Sequence, residues 1–201
     1  MARRYDHSRE ELRQMILDKT QAHIAEFGVQ NLSLRKVAKE IGYSVGTIYN
    51  FFKDLDDLVM QMNGVTLDRL RDHLKSTKIT GTSEAKLIQL ARAYVDFTRS
   101  NMNLWNSVFE HHLLPGEEQP DWYQTKIQNL LAIIQEVITP YFDDQEADML
   151  RKSTWLLWSS FHGICTFTNL QKDDKVAKAE AYDLSELLIS NYLSGISSEK
   201  R

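Results

Sequence analysis

Arg35, Ser44, Thr47, Tyr49, Asn50 and Lys53 crowd hydrogen-bond donors into one short stretch, around Val45 and Gly46, which project little or no side chain. This set holds no acid and no thiol. The chemistry open to it is donation to oxygen and ring-nitrogen acceptors. Thr47, Tyr49 and Lys53 suit phosphate oxygens, whereas Arg35 and Asn50 suit the edges of bases. Catalytic groupings are thin by comparison. Glu110-His111-His112 is the one tight acid–histidine cluster, and adjacent histidines on a helix point too far apart to serve one metal easily. The His-Glu-x-x-His and Gly-x-Ser-x-Gly spacings and a glycine-rich phosphate loop are absent. Cys165, the sole cysteine, falls in an apolar stretch that disfavours a thiolate. Neither an enzyme, a metal nor a cofactor is expected.

The elements that must hold these residues read as helices throughout. Apolar residues recur at spacings of three and four, and the chain has only three prolines and eight glycines. An all-α fold of about nine helices follows. Ser8-Arg9-Glu10-Glu11 has the form of a capping box opening a first helix that stops at Phe27-Gly28. Ser33 caps a short second helix over Leu34–Ile41, which ends at Gly42. Ser44 caps a third, over Val45–Phe51. A long fourth begins near Leu55, and Ser83 starts a fifth after a polar loop. The sixth carries Met102 to Leu113, with a loop marked by Pro115-Gly116 and Pro120. The seventh carries Ile127 to Ile138 and stops at Pro140. Asp143 and Glu146 open an eighth that runs to about Leu170, the ninth covers about Val176 to Leu193, and residues 194–201 are expected to fray.

Val37, Ala38 and Ile41 form an apolar face on the second helix, and Ile48, Phe51 and Phe52 form one on the third. Gly42 stands where the chain must turn sharply. That is the pattern of a helix-turn-helix, whose second helix enters a major groove by its N-terminal residues. Any two short helices in a bundle also need a glycine turn and apolar faces, but the outward positions here suit DNA. The expected division is a DNA-binding domain over residues 1–54 and a larger helical body over 55–201.

Residues from Ser8 to Leu58 resemble the DNA-binding domain of the tetracycline-repressor (TetR) family. The resemblance rests on Phe27-Gly28, Ser33, Val37-Ala38, Ile41-Gly42, Ser44, Gly46-Thr47-Ile48-Tyr49 and Phe51-Phe52, in order and at spacing, over about a quarter of the chain. It implies a ligand-responsive repressor that binds palindromic, double-stranded operator DNA as a homodimer. By position, Thr47 and Tyr49 would meet phosphates, Val45, Gly46 and Asn50 would face bases, and Arg35 would reach in from the second helix. Ser44 opens the reading helix. The family usually carries a lysine where this chain has Leu55, so either one phosphate contact is missing or Lys53 supplies it. Trp158-Ser-Ser-Phe-His162-Gly163 is similar to the Trp-x-x-x-His-Gly signature of one C-terminal subgroup.

The same resemblance places Met62, Tyr94, Phe97, Met102, Trp105, Phe109, Trp122, Trp158, Phe161 and His162 on helices around a cavity for a small hydrophobic or aromatic effector. His112, His162, Asn106 and Tyr123 are its candidate polar groups. Each aromatic also has a plain reading as core, and His162 reads as a hydrogen-bonded core histidine before it reads as a ligand contact. Between Trp155 and Phe167 the eighth helix is apolar nearly all round, so more than one neighbour must cover it. The resemblance implies that the last two helices pair with those of a twin, setting two reading helices about 34–36 Å apart. A helical DNA-binding or protein-interaction scaffold without a ligand switch is the alternative.

Charge is uneven. The net charge is −4, yet residues 1–53 hold nine lysines and arginines against six acids, and the remainder holds fifteen against twenty-two. A basic end on an acidic body can approach a polyanion. A single cysteine and the lack of a long apolar run point to a cytoplasmic protein with no membrane partner.

Overall fold

A computed structural model describes residues 7–111, 118–171 and 173–199, and its secondary structure among them is entirely helical. Nine α-helices follow in order: α1 (Arg9–Phe27), α2 (Leu34–Glu40), α3 (Val45–Tyr49), α4 (Leu55–Ser76), α5 (Ser83–Ser100), α6 (Met102–Glu110), α7 (Asp121–Ile138), α8 (Ala147–Thr168) and α9 (Asp174–Glu199). Short 3₁₀ turns occupy Val29–Asn31, Thr139–Tyr141 and Asp144–Glu146.

Local chemistry accounts for most boundaries. The Ser8 hydroxyl accepts from the Glu11 amide, and the Glu11 carboxylate accepts from the Ser8 amide, so two orphan donors of α1 are satisfied reciprocally. Gly28 ends α1 at φ 77° while its amide donates to the Ile24 carbonyl at 2.8 Å. Gly42 turns the chain between α2 and α3, also at φ 77°, a conformation that a side chain with a Cβ resists. Asp54 Oδ1 accepts from the Asp57 amide at the start of α4. Asp143 and Glu146 form a second capping box, but it opens the 3₁₀ turn from which α8 then grows.

Three ends differ from expectation. α3 stops at Tyr49, and the chain continues in turns that send the Asn50 amide to Thr47 and the Phe51 amide to Ile48. α8 stops at Thr168, short of Leu170. α9 does not fray at residue 194 but reaches Glu199, with the Ser197 and Ser198 hydroxyls donating to the carbonyls of Leu193 and Gly195. The end of the sixth helix at Leu113, the Pro115-Gly116 loop and His112 lie outside the described residues.

By contacts the chain divides inside α4. One unit comprises Met1–Thr66 with Asn101–Tyr123, and the other Leu67–Ser100 with Gln124–Arg201. The first therefore joins α6 to the helix-turn-helix. Its core packs Leu12, Ile16 and Ile24 of α1 on Val37 and Ala38 of α2, Ile48 of α3, Leu58 and Met62 of α4 and Leu104 of α6. Asn103 Nδ2 donates to the Ala25 carbonyl at 2.8 Å. Inside the same unit Asn63 and Ser107 are almost fully buried and bonded reciprocally: Asn63 Nδ2 donates to the Ser107 carbonyl at 3.0 Å, and Ser107 Oγ donates to Asn63 Oδ1 at 2.8 Å. The second unit buries Leu70, Leu87, Leu130, Leu157 and Ile189. Arg92 pairs with Glu186 and Arg99 with Asp174, while Asp96 accepts from both Lys178 and Tyr182, tying α5 to α9.

The Asn63–Ser107 pair sets an expected outcome. Ser107→Ala strands a buried amide oxygen and should cost about 1–3 kcal/mol in urea unfolding. Asn63→Leu with Ser107→Ala leaves no orphan, because the Ser107 carbonyl keeps its helical bond from the His111 amide at 3.2 Å. The double variant should therefore recover part of that loss. A Ser107→Ala protein as stable as the parent would show that the pair holds nothing.

Candidate functional site

α3 has five residues and holds its shape by capping and burial. Ser44 Oγ accepts from the Thr47 amide at 3.2 Å and lies 3.0 Å from Thr47 Oγ1, so both hydroxyls already serve the helix start. Ile48 is completely buried. Val45 is half-buried against the core, which leaves only part of it for any outside surface. Tyr49, 47% exposed, and Asn50 point the other way. Arg35 is exposed on α2. Arg35, Tyr49 and Asn50 make no side-chain hydrogen bond or ion pair among the described residues. Lys53 is mostly exposed, with its ammonium 3.6 Å from Asp54.

Gly46 is informative because nothing among the described residues requires a glycine there. Its backbone is not left-handed, and an added Cβ would meet only Ser44 Oγ, at an ordinary 3.7 Å. The missing side chain leaves the helix surface open to close approach from outside. Lys39 escaped the sequence reading. It is exposed, without a side-chain partner, and four residues from Arg35, so the two share a face of α2. That spacing was the available signal. The Asn63–Ser107 pair had none, since 44 residues separate its members.

The candidate effector residues divide between the two units. In the first, Met62 and Trp105 are buried, Met102 is half-buried, and Phe109 is partly exposed. Trp105 meets Phe109 edge-on at 5.2 Å, and Trp122 meets Tyr123 edge-on at 5.5 Å. Burial pushes the Tyr123 phenol up to about 12. Asn106 is half-buried. His111, beside the undescribed His112, lies 3.1 Å from Asp56.

In the second unit Tyr94, Trp158 and His162 come together. The Tyr94 hydroxyl lies 3.2 Å from His162 Nδ1, and the Trp158 ring stands edge-on to that of Tyr94 at 5.1 Å. His162 Nε2 lies 3.5 Å from the Thr166 hydroxyl. Burial pushes His162 below the ordinary histidine range. Phe161 is buried, and Phe97 meets the His73 ring at 5.7 Å. Burial pushes the Cys165 thiol up to about 11, where it is no nucleophile at neutral pH. No group of metal-ligating side chains occurs among the described residues, and no helix among them is long and apolar enough to cross a membrane.

Residues 16–62 match the family of bacterial regulatory proteins described as tetR family, and residues 87–190 match the tetracyclin repressor-like C-terminal domain. The chain belongs to the TetR family. It is similar to an HTH-type transcriptional regulator of Staphylococcus aureus (strain USA300), 27% identical over 175 residues that span 85% of this chain and 86% of that one. Among solved structures, a protein of unknown function from Rhodococcus sp. RHA1 superimposes with TM-score 0.72 at 19% identity, covering 96% of this chain and 98% of that one. The transcriptional regulator FadR from Bacillus subtilis, in complex with stearoyl-CoA, superimposes with TM-score 0.66 at 20% identity, covering 88% and 97%. These structures share the TetR all-α fold. The protein is a TetR-family transcriptional regulator, and residues 16–62, which include α2 and α3, are matched by the family's DNA-binding region.

The His162 environment carries a pH dependence. With the folded imidazole held below the ordinary value of about 6.5, the unfolded chain takes up its proton first. Stability is thus intact above that range and is lost as the pH falls through it toward the folded value. Between about pH 7.5 and pH 5.5 the melting temperature of the parent should fall more steeply than that of His162→Gln. Parallel slopes would clear His162 of this role.

Proposed function

We propose that this TetR-family protein is a repressor that binds a palindromic operator as a homodimer and is released by a small hydrophobic or aromatic effector. The observation that carries the DNA-binding part is the set Arg35, Gly46, Tyr49 and Asn50 on α2 and α3: three exposed donors without a side-chain partner among the described residues, and a glycine that neither backbone angle nor space requires there. In this reading Tyr49 and Lys53 hold phosphates, with Thr47 donating where its bond to Ser44 permits. Arg35 and Asn50 read bases, Gly46 admits the duplex, and Lys39 adds a cation. Ser44 and Val45 serve mainly to shape α3. Asp54, Asp56 and Asp57 crowd the start of α4, and with Leu55 there in place of a lysine they keep phosphates away from it.

Dimerisation draws support from apolar side chains left in water. Trp155, Leu156 and Phe167 on α8 and Val176 and Leu187 on α9 are large and exposed, and Leu170 between the helices is 80% exposed. A twin covering these residues would remove that cost and hold two reading helices at the spacing of successive major grooves. The effector class draws support from the aromatic side chains around Tyr94, Trp158 and His162, and from the similar FadR protein, whose structure is a complex with stearoyl-CoA. A ligand that favours one arrangement of the dimer lowers operator affinity by the ratio of its affinities for the two arrangements. α4 contributes residues to both units and is the proposed transmitter. The near-complete burial of Met62, Trp105 and Phe161 favours a second reading, a filled core with no ligand switch.

Operator binding followed by fluorescence anisotropy tests the central reading. The slope of log K against log salt should be about −0.9 for each phosphate neutralised. Asn50→Ala or Arg35→Ala should cost about 1–3 kcal/mol and relax base preference, whereas Tyr49→Phe should weaken all duplexes alike. Gly46→Ala should leave unfolding unchanged or raise stability by about 0.5–1 kcal/mol, while weakening operator binding at least about tenfold. A Gly46→Ala protein that binds as tightly as the parent removes the close-approach argument. A monomer by light scattering at micromolar concentration removes the dimer.

A further inference from the structure

In the second unit, the last turn of α4, the start of α5 and the end of α7 border an open cavity of about 290 Å³. It shares no residue with the aromatic cluster proposed for the effector. Its floor is apolar, with Leu74, Ile133 and Val137 among the lining side chains. Its walls carry two ammonium groups, Lys75 and Lys86, and one carboxylate, Glu136.

Neither lysine has an ion pair or side-chain hydrogen bond among the described residues. In the same unit Arg71 and Lys126 pair with Asp68, Arg92 with Glu186, Arg99 with Asp174 and Lys178 with Asp96, whereas Arg69, Lys78 and Lys175, which do not line the cavity, are also without an ion pair among the described residues. Lys86 is half-buried and Lys75 is exposed. Glu136 is exposed and likewise unpaired, so the walls keep one positive charge in excess. Ser83, the first residue of α5, stands on the same wall and brings the favourable end of a helix dipole. An apolar floor under uncompensated cations matches a ligand with an apolar body and an anionic head. The volume sits at the low end of the range for small-molecule sites.

We propose that this cavity binds a small amphipathic carboxylate, aliphatic or aromatic, with its head group at Lys75 and Lys86 and its body on Leu74, Ile133 and Val137. The site is separate from the operator face and from the effector cluster, and binding to it is measured without DNA.

Calorimetric titration of the full chain with octanoate, 3-phenylpropanoate and 1-octanol tests this. At least one acid should bind about tenfold or more tightly than octanol, its uncharged counterpart; octanoate alone would mark an aliphatic ligand and 3-phenylpropanoate alone an aromatic one. Lys75→Met with Lys86→Met keeps the apolar stems and should lose about tenfold or more in acid affinity, with octanol unaffected. Lys152→Met with Lys175→Met, which removes two exposed lysines outside the cavity lining, should bind acid as the parent does, and His162→Gln reports any acid held by the other cluster. The proposal is overturned if neither acid outbinds octanol, if the double lysine variant binds acid like the parent, or if His162→Gln abolishes acid binding while the lysine variant retains it.

Discussion

Burial of Ile48 against α1 and α2 is the constraint on which the reading face depends. A five-residue helix is far too short to persist in water by its own hydrogen bonds. α3 exists because Ile48 is fully buried in a core with Ile16, Ile24, Val37 and Ala38, and because Ser44 caps its first turn. Anchoring one side of so short a helix fixes the direction of the other. Tyr49 and Asn50 are turned outward by the same packing that turns Ile48 inward. Gly42, at a backbone angle only glycine adopts freely, sets the turn that brings α2 and α3 into that core.

α6 extends the same core. Leu104 packs among residues of α1 to α4, Asn103 bonds the α1 backbone, and Ser107 is locked to Asn63 of α4. The reading head is thus a larger body than α1, α2 and α3 alone. The helix that carries Trp105 and Phe109, both candidates for sensing an effector, is built into it. A buried polar pair such as Asn63–Ser107 adds little net stability over an apolar substitute but specifies one register, since any slip leaves two orphaned groups. That property suits a junction between α4 and α6 in a regulator, where the arrangement of helices is the signal.

Much of this could be read from local pattern. Ser8 with Glu11, Ser33, Ser44, Gly28 and Gly42 mark helix ends because caps and left-handed turns depend on side chains a few residues away. The family motif from Phe27 to Phe52 is legible for the same reason, being a dense run of local requirements. α9 runs past the expected fraying point at residue 194 because Ile196, three residues on from Leu193, continues the apolar spacing, and the Ser197 and Ser198 hydroxyls donate to the carbonyls of Leu193 and Gly195. Lys39 was hidden by the denser run of donors on α3, although its spacing from Arg35 was in view.

Sequence alone determined the helical class, the helix-turn-helix and the identity of the groups available for DNA, since each follows from short-range spacing and caps. Tertiary structure decided that Ser44 and Thr47 spend their hydroxyls on each other, that Val45 is partly withdrawn, and that Gly46 is free of any demand from the fold. It also decided that Tyr94, Trp158 and His162 meet, and that Lys75 and Lys86 line one cavity with a single carboxylate, Glu136. The Ser44–Thr47 pairing is local but needs the side-chain geometry to be seen, whereas the Tyr94–His162 meeting and the shared cavity depend on surfaces brought together across dozens of residues, where local periodicity carries no information.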